Sequence, residues 1–276
     1  MRDASVGHQC PECVAEGRRT VRRARTAFGG TQAGRQGYVT NALIGLNALM
    51  LLISVISAGG AGLAGGGFAG LFSSTTTPVD FWGGLIGAPT TYTDGPGGPV
   101  VASVGGVASG EYYRLVTAMF LHSGVFHLLV NMWALFVLGR NLEYALGPIR
   151  FLALYLLSGL GGSVAVYWFS DPHRPTVGAS GAIFGLLAAF FIVLRRLGRD
   201  TSALLPVILL NVVITFGIPG ISIAGHVGGF ISGAILGAGL AYAPQKNRSA
   251  IQAGICVAFG VAMVLLALLR TATLTA

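Results

Sequence analysis

Residues Ile221–Ala243 read ISIAGHVGGFISGAILGAGLAYA, twenty-three positions without a Lys, Arg, Asp or Glu. At 1.5 Å of rise per residue, such a run crosses a bilayer core of about 30 Å as one helix. Gly225, Gly229, Gly233 and Gly237 recur at every fourth position. They fall on one stripe, and small residues on a stripe let two helix backbones approach closely. One titratable group, His226, lies in the run. Ionisable groups are costly in lipid, so each is a functional hypothesis by default.

Working outward, six more apolar runs appear: Val39–Ser57, Val125–Leu138 (continuing toward Leu146), Phe151–Phe169, Thr176–Leu194, Ala203–Ile218 and Ile251–Leu269. The bulk numbers agree. Of 276 residues, 53% are hydrophobic and only 9% charged, and the mean hydropathy is +0.74. A soluble domain is about 25% charged. An ordinary soluble enzyme, a disordered chain and a disulfide scaffold are thereby excluded. A membrane β-barrel would alternate polarity over segments of about 10 residues, and these runs do not. The expected fold is an all-α membrane protein, a bundle of six transmembrane helices plus a seventh at the C-terminus. No signal peptide is evident before the first run.

Charge orients the bundle. The net charge is +8, and fourteen of the seventeen basic residues precede span one or fall between spans two and three, after span four or after span six. Only Arg114, Arg174 and Arg270 fall on the opposite side. The positive-inside rule then predicts a cell-membrane protein with a cytoplasmic N-terminus and an extracytoplasmic C-terminus. The basic residues follow topology, so no nucleic-acid partner is expected; the lipid bilayer is. Three segments follow: a basic cytosolic segment 1–38, a core 39–243 with a Gly-rich outer loop 58–111, and a seventh helix with a short tail, 244–276. Oligomeric state is not legible.

Cys10 and Cys13, with His8 adjacent, have the Cys-x-x-Cys spacing of half a zinc site, which needs four ligands. No second pair follows, and Cys256 lies in the last run. The sequence favours a remnant, or a start codon placed too late, over a metal site. No cofactor is expected.

The polar residues inside the runs share a level. His127 and Asn131 are four apart, hence on one helix face, near the outer end of span two, with Ser123 as the expected N-cap. Ser180 is the fifth residue of the run starting at Thr176, and His226 the sixth of the run starting at Ile221, roughly 6–8 Å below the helix starts. Gly181, Gly185 and Ala189 give span four a small-residue stripe to meet that of span six. Close approach would bring Ser180 Oγ within reach of the His226 ring. A Ser beside a His is the minimum for nucleophilic catalysis. The Ser180 amide, His127 and Asn131 are candidate oxyanion donors. No carboxylate lies in these helices near that layer, so the expected machinery is a dyad.

Three motifs now carry a family resemblance: HSGVFHLLVN (His122–Asn131), GASG (Gly178–Gly181) and GHVGG (Gly225–Gly229). With Gly110–Leu115 and Tyr155–Gly159, they resemble the rhomboid intramembrane serine proteases over about residues 39–243. The resemblance implies Ser180 as nucleophile, His226 as general base, and an oxyanion hole of His127, Asn131 and the Ser180 amide. It gives His122, Gly178, Gly181 and Arg114 supporting places and makes span five, Ala203–Ile218, a lateral gate for transmembrane protein substrates. Two departures, Tyr113-Arg114 and Glu143-Tyr144, imply a differently seated outer loop and a looser cytosolic loop. Two other readings remain: a non-catalytic rhomboid-like client-binding protein, which would lack the Ser or the His, and a small transporter, whose polar groups would be spread through the membrane depth.

Overall fold

A computed structural model describes residues 2–3, 8–20, 25–31, 37–58, 77–93, 100–218 and 220–276. The expected basic residues Arg22, Arg23 and Arg35, and the Gly-rich stretch 59–70, lie outside the described residues, as does the side chain of His8. All seven apolar runs form helices, because a backbone without water must bond within its own segment.

The helices in chain order are α1 (Pro11–Thr20), α2 (Tyr38–Ser57), α3 (Pro78–Gly83), α4 (Arg114–Thr117), α5 (Val125–Leu146), α6 (Pro148–Phe169), α7 (Ser180–Arg196), α8 (Leu204–Gly217), α9 (Ile223–Tyr242) and α10 (Arg248–Thr275). Beside these helices and two 3-10 turns, Val107–Ser109 and Ala118–Phe120, there are two short antiparallel ladders: β1 (Arg2–Asp3) with β2 (His8–Gln9), and β3 (Thr90–Thr93) with β4 (Val100–Val104). Five helices, α2, α5, α6, α9 and α10, are long and apolar enough to cross a membrane. The other two of the seven are shorter. Helix α7 has 17 residues and α8 has 14, so α8 rises only about 21 Å, less than a hydrocarbon core.

Helices α5, α6, α7 and α9 enclose the main core. Leu135, Leu142, Phe151, Leu154, Leu186 and Leu236 are all fully buried there. The glycine stripe of α9 sits on the backbone of α7. A Cβ at Gly229 would land on the Gly181 carbonyl, one at Gly233 on the Gly185 carbonyl, and one at Gly237 within 2.8 Å of Ala189 Cα. Gly162 of α6 closes the same seam, since its Cβ would lie 2.8 Å from the Gly225 carbonyl oxygen and 3.3 Å from Gly181 Cα. By contrast, α8 and α10 turn large apolar side chains outward, among them Leu209, Leu210, Val213, Val257 and Leu265.

Two loops are held by buried charges. The Arg114 guanidinium, fully buried, donates through Nε to Glu111 Oε2 at 2.6 Å and through Nη1 to the carbonyls of Phe81 and Gly84, both at 2.8 Å. It therefore ties α3 to the α4 turn. At the Arg-rich end, the buried Glu143 carboxylate accepts from the Val39 and Thr40 amides at 3.0 and 2.9 Å and from Thr40 Oγ1 at 2.8 Å. A carboxylate there also complements the positive N-terminus of α2. Tyr144, next to Glu143 in α5, is exposed.

The last helix is bolted on at both ends. Gln252 is buried, accepts from Arg150 Nε at 2.6 Å, and donates to the Leu240 and Phe28 carbonyls at 2.7 and 3.2 Å. At the far end Thr271 Oγ1 lies 3.0 Å from both the Tyr112 and Tyr167 hydroxyls. The Trp168 indole donates to the Leu266 carbonyl at 3.0 Å.

Candidate active site

Ser180 is the first residue of α7 rather than a residue one turn into it. The difference from the expected start at Thr176 has a structural cause. Thr176 forms an isolated antiparallel bridge with Leu85 (N···O 2.9 and 3.0 Å), and Gly178 donates to the Ala118 carbonyl at 2.9 Å. These bonds hold 176–178 extended, and Gly178 turns the chain at φ +138°, a conformation that disfavours any side chain. The helix can begin only after that turn. Its first amides have no intrahelical acceptor, and among the described residues the Ser180 N–H donates no backbone hydrogen bond.

His127 lies in the first turn of α5. The N-cap of that helix is Gly124, without a side-chain cap, not Ser123 as expected. Instead Ser123 Oγ sits 3.1 Å from His127 Nδ1. The opposite edge of the ring faces the Gly178 turn. A Cβ at Gly178 would lie 3.1 Å from His127 Nε2 and 3.6 Å from Ser180 Oγ, so both groups border the space that Gly178 leaves open. Asn131 is buried one turn further on and donates one amide hydrogen to the His127 carbonyl at 3.0 Å. Its second amide hydrogen remains for another acceptor. His122, in the segment before α5, is buried edge-on to His127 with ring centroids 5.0 Å apart.

His226 is in the first turn of α9, which Ser222 caps by accepting from the Gly225 amide at 3.2 Å. Its ring is buried and stacks on Phe184, with centroids 4.0 Å apart and planes 19° from parallel. Phe184 is four residues after Ser180, on the same face of α7. The imidazole therefore lies along the face that bears the hydroxyl. Gly181 permits this, because its Cβ would lie 3.2 Å from the Gly225 carbonyl oxygen. Among the described residues, Ser180 Oγ makes no hydrogen bond to His226; the ring's Nδ1 instead pairs with Thr215 Oγ1 of α8 at 2.8 Å. Catalytic hydrogen bonds are often long until substrate is bound.

The structure thus gathers Ser180, His127, Asn131, His122, His226, Gly178 and Gly181 at one end of the bundle. Arg114 stands apart, in the loop clamp. Sequence reading missed two participants, Phe184 and Thr215. Phe184 had a signal in its i, i+4 spacing from Ser180. Thr215 had none, since nothing in the chain announces which residue of α8 faces His226. Cys10 and Cys13 are exposed free thiols, and no group of three His, Cys, Asp or Glu among the described residues could hold a metal.

A family model described as Rhomboid domain matches residues 109–243. RHOMBOID-like protein 5 of Arabidopsis thaliana is 37% identical over 164 residues, covering 55% of this chain and 53% of that protein. The rhomboid protease GluP of Bacillus subtilis is 37% identical over 165 residues, covering 56% of this chain and 32% of GluP. YdcA of the same bacterium is 38% identical over 136 residues, covering 48% of this chain and 68% of YdcA. The chain spans about half of the Arabidopsis relative and about a third of GluP.

Proposed function

Because the chain belongs to the rhomboid family of multi-pass membrane proteins, we propose that it is an intramembrane serine endopeptidase working by a Ser180–His226 dyad. The observation that carries this reading is the convergence of three helix starts. Ser180 Oγ and the His127 ring border the Gly178 turn, and the His226 ring stacks on Phe184, one turn further along the Ser180 face of α7.

The chemistry follows from those groups. His226 Nε2 takes the Ser180 hydroxyl proton as Oγ attacks a substrate carbonyl. The tetrahedral oxyanion accepts from the Ser180 N–H, from His127 Nε2–H and from the spare Asn131 amide hydrogen. For His127 to donate through Nε2, its Nδ1 must accept from Ser123 Oγ, which the 3.1 Å separation permits. Each such donor is worth about 3–4 kcal/mol of barrier. The His226 proton then passes to the leaving amine, and a water repeats the sequence on the acyl-enzyme. A helical peptide bond is shielded, so substrate segments with Gly, Pro or polar residues, which unwind at lower cost, are the expected targets.

We further infer that α8 is the entry side, since it is short and turns mostly exposed side chains outward. The charge distribution supports a cytoplasmic N-terminus, an extracytoplasmic C-terminus, and a site near the extracytoplasmic face. A client-binding role without catalysis is the alternative. Co-expression with a reporter membrane protein separates the two. Wild-type protein is expected to release the reporter ectodomain and Ser180→Ala to release none; equal release by both would overturn the assignment.

A further inference from the structure

The His226 ring is held from two sides. Phe184 of α7 covers one face, and Thr215 Oγ1 of α8 lies 2.8 Å from Nδ1. The same Thr215 oxygen lies 2.6 Å from the Asn211 carbonyl one turn back in α8. A hydroxyl has one proton, and a carbonyl can only accept. The Thr215 proton is therefore committed to Asn211 O, and what Thr215 presents to the imidazole is a lone pair. Nδ1 must then carry the ring's N–H and donate it. A neutral imidazole has one N–H, so Nε2 is left bare.

We propose that Thr215 is a positioning residue which fixes His226 as the Nδ1–H tautomer, leaving Nε2 as the acceptor a general base needs. The proposal deepens the protease reading and rests on it. It also links the base to the entry helix. Thr215 is the one buried residue of α8 among those described, while its neighbours Leu209, Leu210, Val212, Val213 and Phe216 are exposed. The tautomer is therefore set only while α8 is seated, and a sideways displacement of α8 withdraws the hydroxyl from the ring.

The test uses the full-length purified protein with ring-¹⁵N-labelled histidine, the His226 signals being assigned by their loss in His226→Ala. Wild type and Thr215→Ser are expected to show a protonated Nδ1 and an unprotonated Nε2. Thr215→Val, equal in shape but without the hydroxyl, is expected to lose that preference. In parallel, Thr215→Val is expected to lower kcat about tenfold or more with KM nearly unchanged, and Thr215→Ser to restore most of it. A wild-type Nε2 that carries the proton would overturn the proposal, as would a Thr215→Val variant with unaltered tautomer and kcat. If Thr215→Val does not fold, the wild-type and Thr215→Ser spectra still decide. If the wild type cleaves nothing, the protease reading fails while the tautomer result stands on its own.

Discussion

Ser180 depends on what stops its helix from starting earlier. The Thr176–Leu85 bridge and the Gly178 turn put the hydroxyl and the amide of one residue at the same edge. Asn131 tests the oxyanion account without touching the proton transfer. Asn131→Ala is expected to cut kcat about 10²-fold or more with little change in KM, as for loss of one preorganised donor; an unchanged kcat in a cleavage assay contradicts that role. His122 tests the burial of the site. Desolvation, and then the neighbouring His127, hold its pKa down to about 3 from 6.5. The ring is neutral when folded and protonates near 6.5 when unfolded, so its stabilising effect is complete above 6.5 and drains as pH falls toward 3. His122→Phe is expected to flatten the fall of the thermal midpoint on acidification below about pH 6.5, read by a melting series. An unaltered slope contradicts the buried neutral ring. At this scale the sequence offered Ser180, His226, His127 and Asn131 as candidates by type and spacing. It could not reveal Thr215, whose partner is set by how α8 lies against α9, nor the true start of α7, which a bridge to a distant loop decides.

Among the elements, the α7–α9 seam governs whether the hydroxyl and imidazole share one space. It was legible because every-fourth-residue glycines have one physical use in a long apolar helix, and the structure pairs Gly229 with Gly181 and Gly233 with Gly185. Adding a methyl there forces backbone apart. Gly229→Ala is expected to destabilise the protein by about 1–3 kcal/mol and to lower activity by more than the loss of folded protein explains. Measuring kcat on the folded fraction checks this, and full activity per folded molecule contradicts it. The apolar run of span five was legible too, and the helix Leu204–Gly217 falls one residue inside the expected run Ala203–Ile218 at each end. With 14 residues, α8 is too short to cross unaided.

For the molecule as a whole, the seventh helix is more than an appendage to a six-helix core. Buried Gln252 serves Arg150, Leu240 and Phe28 at one end, and Thr271 joins Tyr112 and Tyr167 at the other. Hydropathy predicted that this helix exists, but its docking rests on a few polar side chains that no periodicity marks. Gln252→Leu strands two buried carbonyls and one guanidinium N–H, and is expected to cost about 1–3 kcal/mol in a denaturation series; an unshifted midpoint contradicts the clamp. Catalysis is expected to rest on one oxygen, Ser180 Oγ. Purified protein treated with a fluorophosphonate and mapped by peptide mass spectrometry is expected to carry the adduct on Ser180, and to lose it in His226→Ala. An adduct on another residue, or equal labelling of Ser180 without His226, would contradict the account.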